Sequence, residues 1–286
     1  MRKIALSLAI AGSLALASCG GSSSASDTTA VAGQSASECA AGKTLTDGTL
    51  TIGTGSPAYS PWVENDKPES KEGFEAALAY AVAGELGFAD ANVKWVRTTF
   101  DEAIQPGAKN FDFNLQQYTI TDERKANITF SDPYYSTNQA IVGLTDSAAK
   151  GVTTIEGLKK LKLGAQVGTT SLDYITNVIK PDTEPFVYDD NAGAKAALEA
   201  KQIDAAVFDL PTALYVSAAE IEGSSVLGQF ALDSSVAADN FGLVFDQGNP
   251  LATCVNTALA TLKSSGKLAE ITNTWLSTKT EIPVIS

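Results

Sequence analysis

The stretch QQYTITDER, residues 116–124, gathers groups suited to holding a carboxylate. Thr121 reads as a helix N-cap, and Asp122 and Glu123 fall in the first turn, where acidic side chains complement the helix dipole. Arg124 then puts a cation at the positive end of that helix, at a cost of roughly a few tenths of a kcal/mol. The placement makes sense if a counter-charge reaches it from elsewhere. A guanidinium offers a planar fork of donors that matches a carboxylate, and nearby helix N–H groups, with Thr119 just upstream, add to it. The plainer assignment is an ion pair between Arg124 and Asp122 or Asp132. A second loop, VGTTSLD (167–173), offers Thr169 and Thr170 ahead of another helix, as many β–α connections do. In AAVFDLP (205–211), Asp209 ends an apolar strand just before a helix with Pro211 early in it, a position that suits an N-cap. The chain has no histidine, which removes Ser-His-Asp and Cys-His catalysis and the usual zinc sites, while carboxylate-only chemistry remains open.

These loops need strands and helices to position them, and the chain alternates the two. An apolar strand (49–55) is followed by an Ala-rich amphipathic helix (72–87) that stops at a glycine. NVKWVRT and FDFNLQQ read as further strands. The same style repeats in KLGAQVGTTSLDYITNVI, PFVYDD and NAGAKAALEAKQIDAAVFD. Strands alternating with helices of this length indicate βαβ units and mainly parallel sheets. The last part, FGLVFD followed by two helical segments, reads as a return to the first unit. The expected organisation is a first lobe over 44–138, a second over 139–236 and a return over 237–286, with crossings near 134–138 and 237–240.

The N-terminus addresses the compartment. Arg2 and Lys3 precede an apolar run too short to span a bilayer, so residues 1–18 read as a secretory signal. The LASC sequence that ends at Cys19 resembles a bacterial lipobox, which implies cleavage before Cys19 and a lipid on its sulfur. Residues 19–43 are rich in Gly, Ser, Thr and Ala and are expected to form a flexible tether. Loss of Arg2 and Lys3 with the signal moves the formal charge from −13 to −15, which argues against nucleic acid as a partner. Cys39 and Cys254 remain, and outside the cytoplasm an even pair reads as a disulfide.

GFEAALAYAVAGELG, FDFNLQQYTITDERKANITFSDPYY, GAQVGTTS, AAVFDLPTALY and KLAEITNTWL occur in the order seen in family 3 extracytoplasmic solute-binding proteins, the polar amino-acid receptors of ABC importers. The resemblance covers about residues 49–276. It implies an α/β, two-lobed periplasmic-binding-protein (type II) fold with two hinge crossings and a ligand clamped between the lobes. It further implies that Arg124 and Thr119 hold the carboxylate of an α-amino acid, with help from Thr169 and Thr170. Asp209 and the Gln117 carbonyl would hold the ammonium. Tyr59, Phe100, Trp62 and Gln116 would meet the side chain, although the aromatics could equally pack in a core and Gln116 could point into a sheet. Ser56 matches a position that is acidic in many relatives, which argues against a cationic ligand. An uncharged polar side chain is expected. An acidic one stays open through Arg97 on a neighbouring strand. The implied partner is an ABC permease, and the implied state is a lipid-anchored extracytoplasmic monomer without a cofactor. The alternatives are an amino-acid sensor, or an enzyme on the same fold with Glu64 at the cleft rim.

Overall fold

Strand and helix alternate through the computed structural model, which describes residues 34–230, 238–276 and 282–285. The expected signal, Cys19 and the first part of the tether lie outside them. From the described start the chain forms α1 (Ala36–Ala40), β1 (Leu50–Gly55), α2 (Phe74–Glu85), β2 (Val93–Thr98), α3 (Phe100–Ile104), β3 (Phe113–Asn114), α4 (Asp122–Lys125) and β4 (Thr129–Phe130). It continues through β5 (Tyr135–Thr137), β6 (Gln139–Leu144), α5 (Ile155–Leu158), β7 (Leu163–Gln166), α6 (Thr170–Tyr174), β8 (Phe186–Tyr188), α7 (Asn191–Glu199), β9 (Ala205–Asp209), α8 (Leu210–Tyr215) and β10 (Ser224–Phe230). It ends with β11 (Asp239–Phe241), β12 (Val244–Phe245), α9 (Leu251–Ser264), α10 (Lys267–Trp275) and β13 (Val284–Ile285).

Two sheets organise these elements into two lobes. The first runs β2-β1-β3-β12-β4 and the second β13-β10-β6-β9-β7-β8. The chain passes between them twice, side by side, as an antiparallel ribbon that pairs Tyr135 with Phe241, Ser136 with Asn240 and Thr137 with Asp239. In the second sheet the side chains alternate between two cores. Ala140, Val142, Ala206 and Phe208 join one, and Ile141, Ala205 and Val207 join the other. That period of two is what a strand covered on both faces produces. In the first lobe, β1 and α2 pack with α9 and α10 around Phe74, Leu78, Phe113 and Leu259.

Helix α2 can start only because residue 73 is glycine. Gly73 has φ +99°, and a Cβ there would lie 2.5 Å from the Trp62 carbonyl oxygen. Once begun, the helix is buried along much of its length, from Phe74 and Glu75 through Ala83.

Two expectations about organisation are corrected. The tether does not run to residue 43, because Ser35 and Glu38 form a capping box that starts α1. Ala36 and Ala40 are buried in the first core, and Cys39 bonds to Cys254 of α9. The C-terminal residues do not all return to the first lobe. Strand β13 pairs with β10 of the second sheet. Ile285 fills the space above Gly228, where a Cβ would come within 2.5 Å of it.

Candidate functional site

Arg124 is delivered by a helix of four residues, α4, whose N-cap is Thr121. The Thr121 hydroxyl accepts the Arg124 backbone N–H at 3.2 Å. The side chain turns inward and is only 7 % exposed. Its Nη1 donates to the Thr119 carbonyl at 2.7 Å, and its Nη2 crosses to the second lobe to donate to the Gly168 carbonyl at 2.9 Å. The guanidinium carbon lies 5.3 Å from the centre of the Phe100 ring, within cation–π range. Among the described residues no carboxylate pairs with it. Asp122, one of the two expected partners, pairs with Lys125 at 2.9 Å instead. Burial lowers the Arg124 pKa, while Tyr118, Asp173, Asp239 and Asp209 act in the opposite sense.

Thr119 is held beside the ribbon by a backbone bridge to Phe241. Its hydroxyl meets that of Thr170 at 3.3 Å, one of the contacts by which the lobes touch. Thr169 caps α6, accepting the Leu172 N–H at 3.2 Å and donating its own proton to the Gln166 carbonyl at 2.7 Å.

Asp209 does not cap α8 with its side chain. The buried Gln139 amide takes its place as partner. Gln139 Nε2 donates to Asp209 Oδ1 at 2.7 Å and to Asp239 Oδ2 at 2.9 Å, and Oε1 accepts the Ser171 hydroxyl at 2.6 Å. Two carboxylates, the half-buried Asp209 and the buried Asp239, thus share one neutral amide. Burial and the charge of Asp239 push the Asp209 pKa well above the usual carboxylate range, against the Gln139 bond and Arg124.

Gln117 adopts φ +51°, a left-handed conformation uncommon for a residue with a side chain. Both its backbone N–H, at 2.8 Å, and its side-chain amide donate to Glu75, and Tyr134 donates to Glu75 as well. Gln116 accepts the Tyr118 hydroxyl at 3.0 Å. The Tyr118 ring stacks obliquely on Phe100 with centroids 4.6 Å apart. Tyr59 reaches across to the second lobe, with Lys195 Nζ 4.9 Å from its ring centre, and burial followed by the charge of Asp190 pushes its hydroxyl up to about 12.

One cavity of about 30 Å3, room for roughly one water, brings together Tyr59, Phe100, Gln116, Gln117, Thr119, Arg124, Thr169, Thr170 and Asp209. Ser56 and Trp62 do not line it. Ser56 is exposed on the surface. Trp62 is 1 % exposed and packs edge-on to Phe74, Tyr135 and Phe241, with Nε1 donating to Thr212 of the second lobe at 2.9 Å. Arg97 is engaged elsewhere, by Asp66 and the Gly55 carbonyl. Sequence reasoning missed Gln166, Ser171, Asn191 and Phe208, which complete the lining. It also missed the supporting groups Glu75, Gln139 and Asp239. Gln166 and Asn191 lie at a strand end and a helix start, the positions that open α/β sites.

A family model for bacterial extracellular solute-binding proteins, family 3, matches residues 50–278. The chain belongs to that family. Among family 3 relatives, the arginine-binding periplasmic protein of Mannheimia haemolytica is 28% identical over 225 residues, covering 78% of this chain and 90% of its own. The ABC transporter glutamine-binding protein GlnH of Bacillus subtilis (strain 168) is 27% identical over 217 residues, covering 75% of this chain and 76% of its own. A solved ancestral arginine-binding protein bound to arginine superposes with a TM-score of 0.66 at 32% identity, covering 80% of this chain and 99% of that one. Relatives of this solute-binding protein are thus named for amino acids that differ in charge.

Proposed function

We propose that the protein captures one α-amino acid with an uncharged polar side chain between its lobes and delivers it to an ABC permease from a lipid anchor at Cys19. The observation that carries this reading is the pair of opposite poles in one cavity. Arg124 is a buried cation that pairs with no carboxylate among the described residues, and Asp209 is a half-buried acid hydrogen-bonded to the neutral Gln139 amide beside a second acid, Asp239. A carboxylate and an ammonium on one carbon would neutralise both. The carboxylate would take over the donors that Arg124 now spends on carbonyls, with Thr119, Thr169 and Thr170 beside it. The rest of the lining, Tyr59, Phe100, Gln116, Gln166 and Asn191, is aromatic or amide. It suits a side chain that exchanges neutral hydrogen bonds. Arg97, the cation considered for an acidic side chain, is committed to Asp66, and Lys195 near Tyr59 is committed to Glu220. The lobes already touch here around a cavity of about 30 Å3, so the amino acid would enter with them parted, and the form closed on it would give the permease a surface that the parted form lacks.

A cationic side chain is the second reading, favoured by the arginine-binding relative and the arginine-bound ancestral structure. Thermal melts against the twenty common amino acids separate the two. At about 100 times its Kd a ligand stabilises by about 2.7 kcal/mol, which moves the midpoint by about 5–10 °C. Glutamine-like ligands should give the largest shift. Arginine giving it would transfer the assignment to the second reading, and no shift with any amino acid would end both. Mass analysis of the N-terminal peptide of the membrane-associated form tests the anchor, which requires a diacylglyceryl group on Cys19.

A further inference from the structure

Glu75 is a buried carboxylate with no cation among its hydrogen-bond partners. It is 1 % exposed, in the first turn of α2. An acid in a first turn normally complements the helix dipole from the surface, where no burial is needed. Here three donors converge on it, and two belong to one residue. The Gln117 N–H reaches Oε1 at 2.8 Å, the Gln117 side-chain amide reaches Oε2, and the Tyr134 hydroxyl also donates to Oε1. Gln117 lines the cavity with φ +51°. Tyr134 stands one residue before the ribbon, and its own N–H donates to the Phe241 carbonyl at 2.9 Å.

We propose that Glu75 is a positioning residue for ligand capture: it locks Gln117 in the left-handed conformation that presents it to the cavity, and it ties that conformation to the interlobe ribbon through Tyr134. The proposal rests on the reading of the cavity as an amino-acid site. The physical case is that a left-handed non-glycine residue persists only where its surroundings over-determine it. Two hydrogen bonds from Gln117 to a single fixed carboxylate supply that restraint.

The carboxylate can also titrate in the working range. Burial pushes Glu75 up to about 7 against the pull of Tyr134 and Gln117. The other titratable groups that feel its charge are Tyr118, Tyr134 and Asp209, all of which it raises. As pH falls through about 7 Glu75 gains a proton and loses an acceptor site, so one of the three donors, from Gln117 or Tyr134, must turn away or reverse. Burial raises Asp209 as well, so a loss of wild-type affinity on the acid side would have a second contributor that an amide at position 75 leaves in place.

Calorimetry with the amino acid that gives the largest thermal shift, from pH 6 to pH 8.5, tests this on the whole folded protein. Glu75→Ala should weaken binding by about tenfold or more, since Gln117 is then free to leave its strained conformation. Glu75→Gln, which like protonated Glu75 keeps the shape but only one full acceptor oxygen, should bind as the wild type does at its low-pH limit, more tightly than Glu75→Ala, and should show a shallower pH dependence than the wild type. Wild-type affinity in Glu75→Ala would overturn the proposal, and so would an unchanged pH profile in Glu75→Gln. If Glu75→Ala fails to fold, the Glu75→Gln profile decides alone. A wild-type protein that binds no amino acid would instead overturn the underlying reading of the cavity.

Discussion

Replacing Arg124 by methionine keeps most of the side-chain volume and removes the charge, which separates structural from binding roles. In the free protein the guanidinium makes two hydrogen bonds to carbonyls, at 2.7 and 2.9 Å. Bonds from a charged donor contribute about 1.5–3 kcal/mol each, so about 3–6 kcal/mol is lost. Against this stands the desolvation of a buried cation without a carboxylate partner, several kcal/mol even after relaxation. The two sides nearly cancel, and the stability of the free protein should change by less than about 2 kcal/mol, a few degrees in midpoint for a chain of this size. Binding should respond very differently. Truncating one side of a desolvated, hydrogen-bonded charge pair costs about 2–5 kcal/mol, or roughly 30- to 5,000-fold in Kd. Thermal melts without ligand, followed by calorimetry with the best ligand, measure both quantities. A variant that unfolds more than about 10 °C early would show that the guanidinium mainly holds the lobes together. One that binds within about threefold of wild type would show that it does not hold the carboxylate.

The buried acids and the crosslink make further predictions. The folded pKa of Glu75 stands at about 7 against an ordinary 4.5. Folded protein therefore keeps a proton that unfolded chain has lost, and this favours folding below pH 4.5 and fades as pH rises through 7. The stability of Glu75→Gln relative to wild type should accordingly grow by about 3 kcal/mol between pH 4.5 and 7.5, measured by urea titration, and a constant difference would refute burial without a counter-ion. Asp209→Asn should lose amino-acid binding yet gain stability relative to wild type as pH rises, because burial and then the charge of Asp239 disfavour an ionised Asp209; relative stability that falls as pH rises would contradict this. The Cys39–Cys254 disulfide closes a loop with a sequence separation of 215. By loop entropy its replacement with serines should cost up to about 5 kcal/mol, read from denaturant midpoints. A change below about 1 kcal/mol would mean that α1 detaches without unfolding the rest.

Local signals were legible where one residue's neighbours in sequence are also its neighbours in space. Thr121 caps α4 and Arg124 stands in its first turn, as the spacing in QQYTITDER suggests, and the alternation of strands and helices carries through both sheets. The same kind of signal was present at α1. Ser35 and Glu38 spell a capping box, but the small polar composition around them reads as a tether until Cys254 provides a surface to pack on. Trp62 shows the opposite limit. An aromatic next to a cleft and an aromatic in a core look alike in sequence, and only the rings of Phe74, Tyr135 and Phe241 decide between them. Glu75 has the local signature of a dipole-complementing surface acid, and only packing distant in sequence reveals it as an interior one. The Gln139 amide between Asp209 and Asp239 spans separations of 70 and 100 residues, beyond any pattern along the chain. The pairing of β13 with the second sheet likewise depends on Gly228 leaving room for Ile285.

The central claim is that Arg124 and Asp209 recognise the two charges on one α-carbon. Calorimetry with the best amino acid, its decarboxylated amine and its N-acetyl derivative tests that claim directly. All three share a side chain, but only the first carries both charges. The free amino acid should bind, and each derivative should lose at least about 30-fold in affinity, the cost of leaving one buried charge unpaired. Equal binding of the amine or the N-acetyl derivative would contradict the account.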